Sequence, residues 1–411
     1  MGPAGYRCAA PGFGSPKGCQ RDLSGRGAIK ERPPKWLPQN GYLDAPNGEG
    51  YAFFTLRTVI LPIGQRGANF RVSWTVMATV VGLLSPLVAV KADPISDLRS
   101  LSVFKDADLN KLAGGDVLAS KGPTMSLARG LSVQSAYVVR APVKSTVSMQ
   151  QQWNPVRHPE LKVYAQGDYS GRANPADFQG LASARSSSSV KAFVDATLRL
   201  PGDASKLQLS NAEVKEFTGG GSTEGTMPAG VLAFWSKILA DRAAKFASGG
   251  LGAEPPYETA GSAVRVEEEV SRLIQESGNV RSFFGSLISA TPMGGGRGSS
   301  PVSQSWQMFD ADGLAAVSLT ASYGKPAGDG WQSADLQYYS SGAIYAVVTF
   351  YQLWPVKVDN QDATLVWRVD MTSAAQLGEL RGVERLGSGA AMMREIQKGV
   401  KAFLHDNSRG R

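Results

Sequence analysis

Trp153, Arg157, His158 and Glu160 fall within eight positions of one another, which sets a histidine beside both a guanidinium and a carboxylate. A histidine and a glutamate on either side of Pro159 can act as an acid–base pair or as two metal ligands. The chain has only 2 histidines, however, and His405 lies far away near the C-terminus, so the cluster supplies at most part of a site. Its other reading is a turn, rigidified by Pro155 and Pro159, ahead of an apolar stretch.

Other chemistry-bearing residues are less complete. Glu267, Glu268 and Glu269 are adjacent, so on a helix they point in different directions and read as a solvated face. Asp310-Ala-Asp312-Gly313 contains only a fragment of a calcium loop and fits a hairpin turn. The glycine runs at 219–221, 294–298 and 387–389 lack the flanking residues of phosphate or dinucleotide loops, so they read as linkers or helix starts. Ser188 and Lys191 have a serine–lysine spacing, but its companion motifs are missing. No metal set and no cofactor is expected.

These residues must be positioned by two kinds of element. From Leu131 to Val139 the apolar residues alternate as in a strand that stops at Ala141-Pro142. From Val302 onward the period is again two, and strands at 305–309, 314–323, 333–339, 343–353 and 363–371 form an antiparallel meander. Between them, residues 170–300 show helical periods separated by Gly and Ser loops, the clearest helix running from Pro228 to Ala247 and a second from Val264 to Gln275. A closing helix over 389–404 carries an apolar stripe of Met392, Met393, Ile396, Val400 and Phe403.

The meander is rich in aromatics, and the strand from Ala343 is apolar on both faces, so it needs cover on both sides. The last helix can cover one. Either the middle helices or a ligand cavity must cover the other, and Tyr345, Phe350, Trp354 and Trp367, with Met392 and Ile396, are the candidate lining of that cavity.

The most unusual stretch lies earlier. Val72 to Val90 is 19 residues without a charge, preceded by Arg71 and followed by Lys91-Ala92-Asp93. A positive flank, an apolar run broken by Pro86 and small residues at Val90 and Ala92 are the layout of a signal peptide cleaved after Ala92, and an uncleaved membrane anchor is the alternative. Residues 1–70, rich in Gly, Pro and Arg, read as a disordered or mis-assigned leader before the signal segment of 71–92.

The net charge of +8 belongs to that N-terminal part: residues 93–411 hold 32 Lys and Arg against 31 Asp and Glu. No basic stripe remains to bind nucleic acid. Both cysteines, Cys8 and Cys19, also precede Asp93, so a processed chain has neither disulfide nor thiolate chemistry and suits a periplasmic or extracellular location.

The order of an early strand, helices, a long antiparallel meander and a closing helix resembles the helix-grip arrangement of START-like proteins and, in its export signal, the uncharacterised exported proteins of bacteria. The resemblance implies an α+β fold with a sheet packed on a long C-terminal helix and a hydrophobic pocket between them. Residues 93–169 and 301–411 would then build the domain, with 170–300 a helical insertion. The resulting expectation is an exported protein holding a hydrophobic small molecule or lipid, with no nucleic-acid partner and with membrane contact only through an uncleaved signal segment. An envelope enzyme using Arg157, His158 and Glu160, and a non-catalytic scaffold, are the alternatives.

Overall fold

The structure, a computed structural model, describes residues 93–408 apart from 171, 220–225, 260–261 and 381. The leader and signal segment read from the sequence lie outside these residues. The described chain opens on a capped helix: Asp93 accepts a hydrogen bond from the Ile95 amide at 3.3 Å, and Pro94 occupies the first turn of α1 (Pro94–Leu101).

After α2 (Leu109–Ala113), β1 (Leu118–Lys121) and β2 (Gly130–Val139) form the first hairpin, followed by α3 (Val143–Gln152) and β3 (Val163–Asp168). The middle of the chain supplies α4 (Ser188–Leu198), α5 (Asn211–Lys215) and α6 (Ala229–Gly249), a small hairpin of β4 (Tyr257–Thr259) and β5 (Ser262–Val264), and then α7 (Val266–Gln275), α8 (Gly278–Phe283) and α9 (Gly285–Ser289). The meander is β6 (Ser303–Ala311), β7 (Leu314–Ala327), β8 (Gly330–Ser340), β9 (Ile344–Val358) and β10 (Gln361–Ala374), and α10 (Gly382–Ser408) ends the described chain.

The five meander strands expected from the sequence are the centre of an eight-stranded antiparallel sheet in the order β1-β2-β10-β9-β8-β7-β6-β3. Their turns follow from local chemistry. Asp312 and Gly313 take φ of 61° and 83° between β6 and β7, and Asp359 and Asn360 take 51° and 60° between β9 and β10, the left-handed pair that a tight hairpin needs. β2 and β3 arrive from far earlier in the chain and extend the two ends, β2 against β10 and β3 against β6. The class is α+β, with a helical insertion and a long C-terminal helix.

The insertion covers one face of this sheet. Phe246 at the end of α6 stacks on Tyr338 with ring centroids 3.8 Å apart and planes within 4°. Phe284 stacks on Phe350 at 4.8 Å, and Trp354 lies 6.4 Å from Trp367 with nearly parallel planes. Behind this contact the fully buried Arg242 guanidinium lies 2.7 Å from Glu213 and 3.4 Å from Glu254, and it sits over the Tyr339 ring at 4.1 Å. One guanidinium cannot neutralise two buried carboxylates. Burial accordingly pushes Glu254 up to about 8, against the pull of Arg242.

The glutamate run at 267–269 is only partly a solvated face. Glu267 and Glu268 are exposed, but Glu269 turns inward, accepts hydrogen bonds from Arg129 and Ser373, and pins α7 to the sheet.

The opposite face is covered by α3 and α10. Met392, Ile396 and Val400 are buried against Val133, Tyr137, Tyr351, Leu353 and Val366. Arg385 anchors the start of α10 by donating to the carbonyls of Leu377 at 2.9 Å and Gly130 at 2.7 Å, and Gln397 donates to the Val117 carbonyl at 3.2 Å. The choice left open by the sequence, helices or cavity on the second face, falls to the helices.

Candidate functional site

The histidine cluster is built by two short 3-10 turns, Pro155–Arg157 and Pro159–Leu161, each begun by its proline. His158 and Glu160 do come together, with Nδ1 3.2 Å from the Glu160 carboxylate. Nε2 meets Asp406 of α10 at 2.8 Å, and the Trp153 indole donates to the same Asp406 oxygen at 3.0 Å. Burial alone would raise the Asp406 carboxyl, but the hydrogen bonds from His158 and Trp153 outweigh it and hold the group below its ordinary range. Arg157 is exposed and lines the rim of the adjoining cleft without an ion pair to either carboxylate. Both imidazole nitrogens face carboxylate oxygens, so the ring is held between the turn and α10. This geometry fastens the end of α10 to the turn.

The six aromatic and apolar residues proposed as one ligand lining do not share a cavity, because the sheet stands between them. Trp367 pairs directly with Gln352, so it shares a face with Phe350 and Trp354, and all three belong to the core beneath the insertion. Tyr345 packs at the edge of the same core, its ring 5.6 Å from the Arg129 guanidinium. Met392 and Ile396 are in the other core, under α10. Neighbouring residues of a strand point to opposite faces, and a list of aromatics along β9 and β10 mixes the two.

On the α10 side, the interior is polar at its centre. Arg368 forks onto Asp370 with distances of 2.8 and 2.6 Å, and Thr349 donates to Asp370 at 3.0 Å. One strand further, Asp335 accepts from Ser322 at 2.7 Å. Burial pushes its carboxyl up to about 6, and the hydrogen bond from Ser322 and the Arg368 charge offset only part of that. The hydroxyls of Ser135 and Thr372 and the side-chain amide nitrogen of Gln337 lie on this face with no hydrogen-bond partner among the described residues.

Away from that centre the surroundings become apolar again. Val139 and Ala141 at the end of β2, Met149 of α3 and Leu404 of α10 surround a pocket of about 260 Å³ that opens beside the glycines following α2. Arg140 forms part of its rim and is held in place by two hydrogen bonds to the Ala113 carbonyl and by Asp359 at 2.9 Å. Met149 and Leu404 are only partly buried, so the lining is apolar surface in contact with water. None of the candidate site residues read from the sequence is among the described residues that line it. The sequence signal for the pocket was small, since Met149 belongs to a helix without a clear apolar period and Leu404 to the last turn of α10.

No family model matches the chain, and no curated protein sequence matches it. Among solved structures, a START superfamily protein from Mycobacterium smegmatis aligns at 14% identity and a TM-score of 0.20. The alignment covers 25% of this chain and 65% of that one, just short of two-thirds of its length. At that score the likeness carries no argument, and the site is read from the chain's own geometry.

Proposed function

We propose that this chain is an exported binding protein that holds a small apolar molecule in the pocket between the end of α10, the end of β2 and α3. The observation that carries this reading is the pocket of about 260 Å³, partly open to water and lined by Val139, Ala141, Met149 and Leu404. Exposed apolar surface gathered into a concavity gains free energy when an apolar guest replaces its water. Arg140 at the rim favours a guest with a polar end that remains outside.

Three features support export. The Val72–Ala92 stretch has the layout of a signal peptide, residues 93–411 contain no cysteine, and Asp93, the first residue after the expected cut, is itself the cap of α1. Cleavage after Ala92 leaves that cap intact.

Titration of the full-length protein with the neutral fluorophore N-phenyl-1-naphthylamine tests the binding reading. The parent should enhance the dye's fluorescence, and Leu404→Trp, which fills the pocket from a partly exposed position, should abolish the enhancement with little change in melting temperature. A parent that leaves the dye dark, or a Leu404→Trp protein that binds it as the parent does, overturns the reading.

A further inference from the structure

The glycine run at 294–298, which reads as a linker in the sequence, builds a concave site. Gly295, Gly296 and Gly298 have φ of 96°, 75° and 65°, backbone conformations that a side chain would strain. At Gly298 a Cβ would also fall 2.4 Å from the Thr291 carbonyl carbon, so the loop folds back tightly over Thr291 and Pro292. The segment after it is thereby presented to a cleft of about 380 Å³, bounded on the far side by Phe246 of α6 and by Gln304 and Tyr323 of the sheet.

Among the described residues, the lining of this cleft contains hydrogen-bond donors and a cation but no carboxylate. Arg297 forms no ion pair or hydrogen bond with any described residue, in contrast to the ion-paired Arg242 and Arg368. Tyr323 is 2% exposed, and its hydroxyl has no hydrogen-bond partner among the described residues. A buried hydroxyl without a protein partner is left to donate to water or to an acceptor that a ligand brings. Burial raises the Tyr323 pKa, so the group stays a neutral donor. Ser299 adds a further hydroxyl, Gln304 an amide, and Phe246 and Pro301 give the cleft apolar walls.

We propose that this cleft binds a small molecule carrying one oxyanion group, a carboxylate or a phosphate, on a compact apolar body. Arg297 meets the charge, the Tyr323 hydroxyl donates to the same group or its neighbour, and the Phe246 ring packs against the body. The cleft shares no lining residue with the pocket at the end of α10, so the two proposals stand or fall separately.

Isothermal titration of the full-length protein with phenyl phosphate, benzoate and benzyl alcohol is the test. Both anions should bind at least about tenfold more tightly than the alcohol, because a charge-assisted contact is available only to them. Tighter binding of phenyl phosphate would assign a phosphate ligand, and tighter binding of benzoate a carboxylate. Arg297→Gln should weaken the anions about tenfold or more, and Tyr323→Phe about threefold, with the melting temperature unchanged or raised because an unpartnered buried hydroxyl is removed. Leu404→Trp should leave all three titrations unchanged. Anions that bind no better than benzyl alcohol, or an Arg297→Gln protein that binds them like the parent, would overturn the assignment.

Discussion

On the face of the sheet beneath the insertion, Phe350, Trp354 and Trp367 stack with Phe283 and Phe284, while the same two strands turn Thr349, Arg368, Asp370 and Thr372 toward α10. Beneath the insertion these strands present aromatic rings, with the buried Arg242–Glu213–Glu254 group beside them, and toward α10 they present a polar centre ringed by apolar residues. Aromatic richness therefore marks where the insertion docks and says little about where a ligand would sit. The proposed guest site lies at the periphery, where Met149 of α3 and Leu404 of α10 are only partly buried.

This contrast can be broken most forcefully from the aromatic side. Trp367 is fully buried in contact with Phe284, Phe283 and Trp354, so Trp367→Ala should cost about 3–5 kcal/mol in urea unfolding. A loss below about 1 kcal/mol would mean that the insertion does not depend on this face.

The polar side should respond to pH. Asp335 moves from an ordinary value of 3.8 to about 6 because burial disfavours its charged form. Its contribution to stability is thus complete below pH 3.8 and lost as pH rises through 6, a fall of roughly 3 kcal/mol. Glu254, raised by burial to about 8, works in the same direction over a higher window, from 4.5 upward. Asp335→Asn should shrink the fall between pH 4 and pH 6 to the part contributed by Glu254. A stability profile of Asp335→Asn that still follows the parent between those values would show that the carboxylate is not buried in solution.

The smallest effect separates the two faces most finely. Thr372→Val deletes a buried hydroxyl that has no partner, so it should be neutral or stabilising by about 1 kcal/mol. Such a swap usually costs stability where the hydroxyl is bonded, as at Thr197, which accepts from the Trp235 indole at 3.0 Å. Equal losses at Thr372 and Thr197 in thermal unfolding would mean that Thr372 is satisfied by ordered water.

Much of the fold was legible because local physics set it. The period of two and the Asp310–Gly313 turn define β6 and β7, and the stripes of Val231, Trp235, Ile238 and Leu239 and of Met392, Ile396 and Val400 define α6 and α10. The edges of the sheet were not legible. β1 is four residues long, and β3 finds its partner β6 some 140 positions later, a pairing that no local pattern encodes. α3 was missed because its sequence, VKSTVSMQQQ, has a polar β-branched start and no clear stripe. The site suffered most from such distant partners. His158 was visible, but Asp406, the group that occupies its second nitrogen, is 248 residues away. Which side of β9 each aromatic faces depended on the register against β10 and β8, so the expected lining combined residues that the sheet separates.

Native mass spectrometry of the protein purified from its own source tests the central claim most directly, since it needs no choice of probe. The account predicts a population heavier than the bare chain by the mass of a small apolar molecule, released on mild activation and absent from Leu404→Trp prepared in the same way. A parent that flies only at its bare mass, or an adduct that survives unchanged in Leu404→Trp, would contradict it.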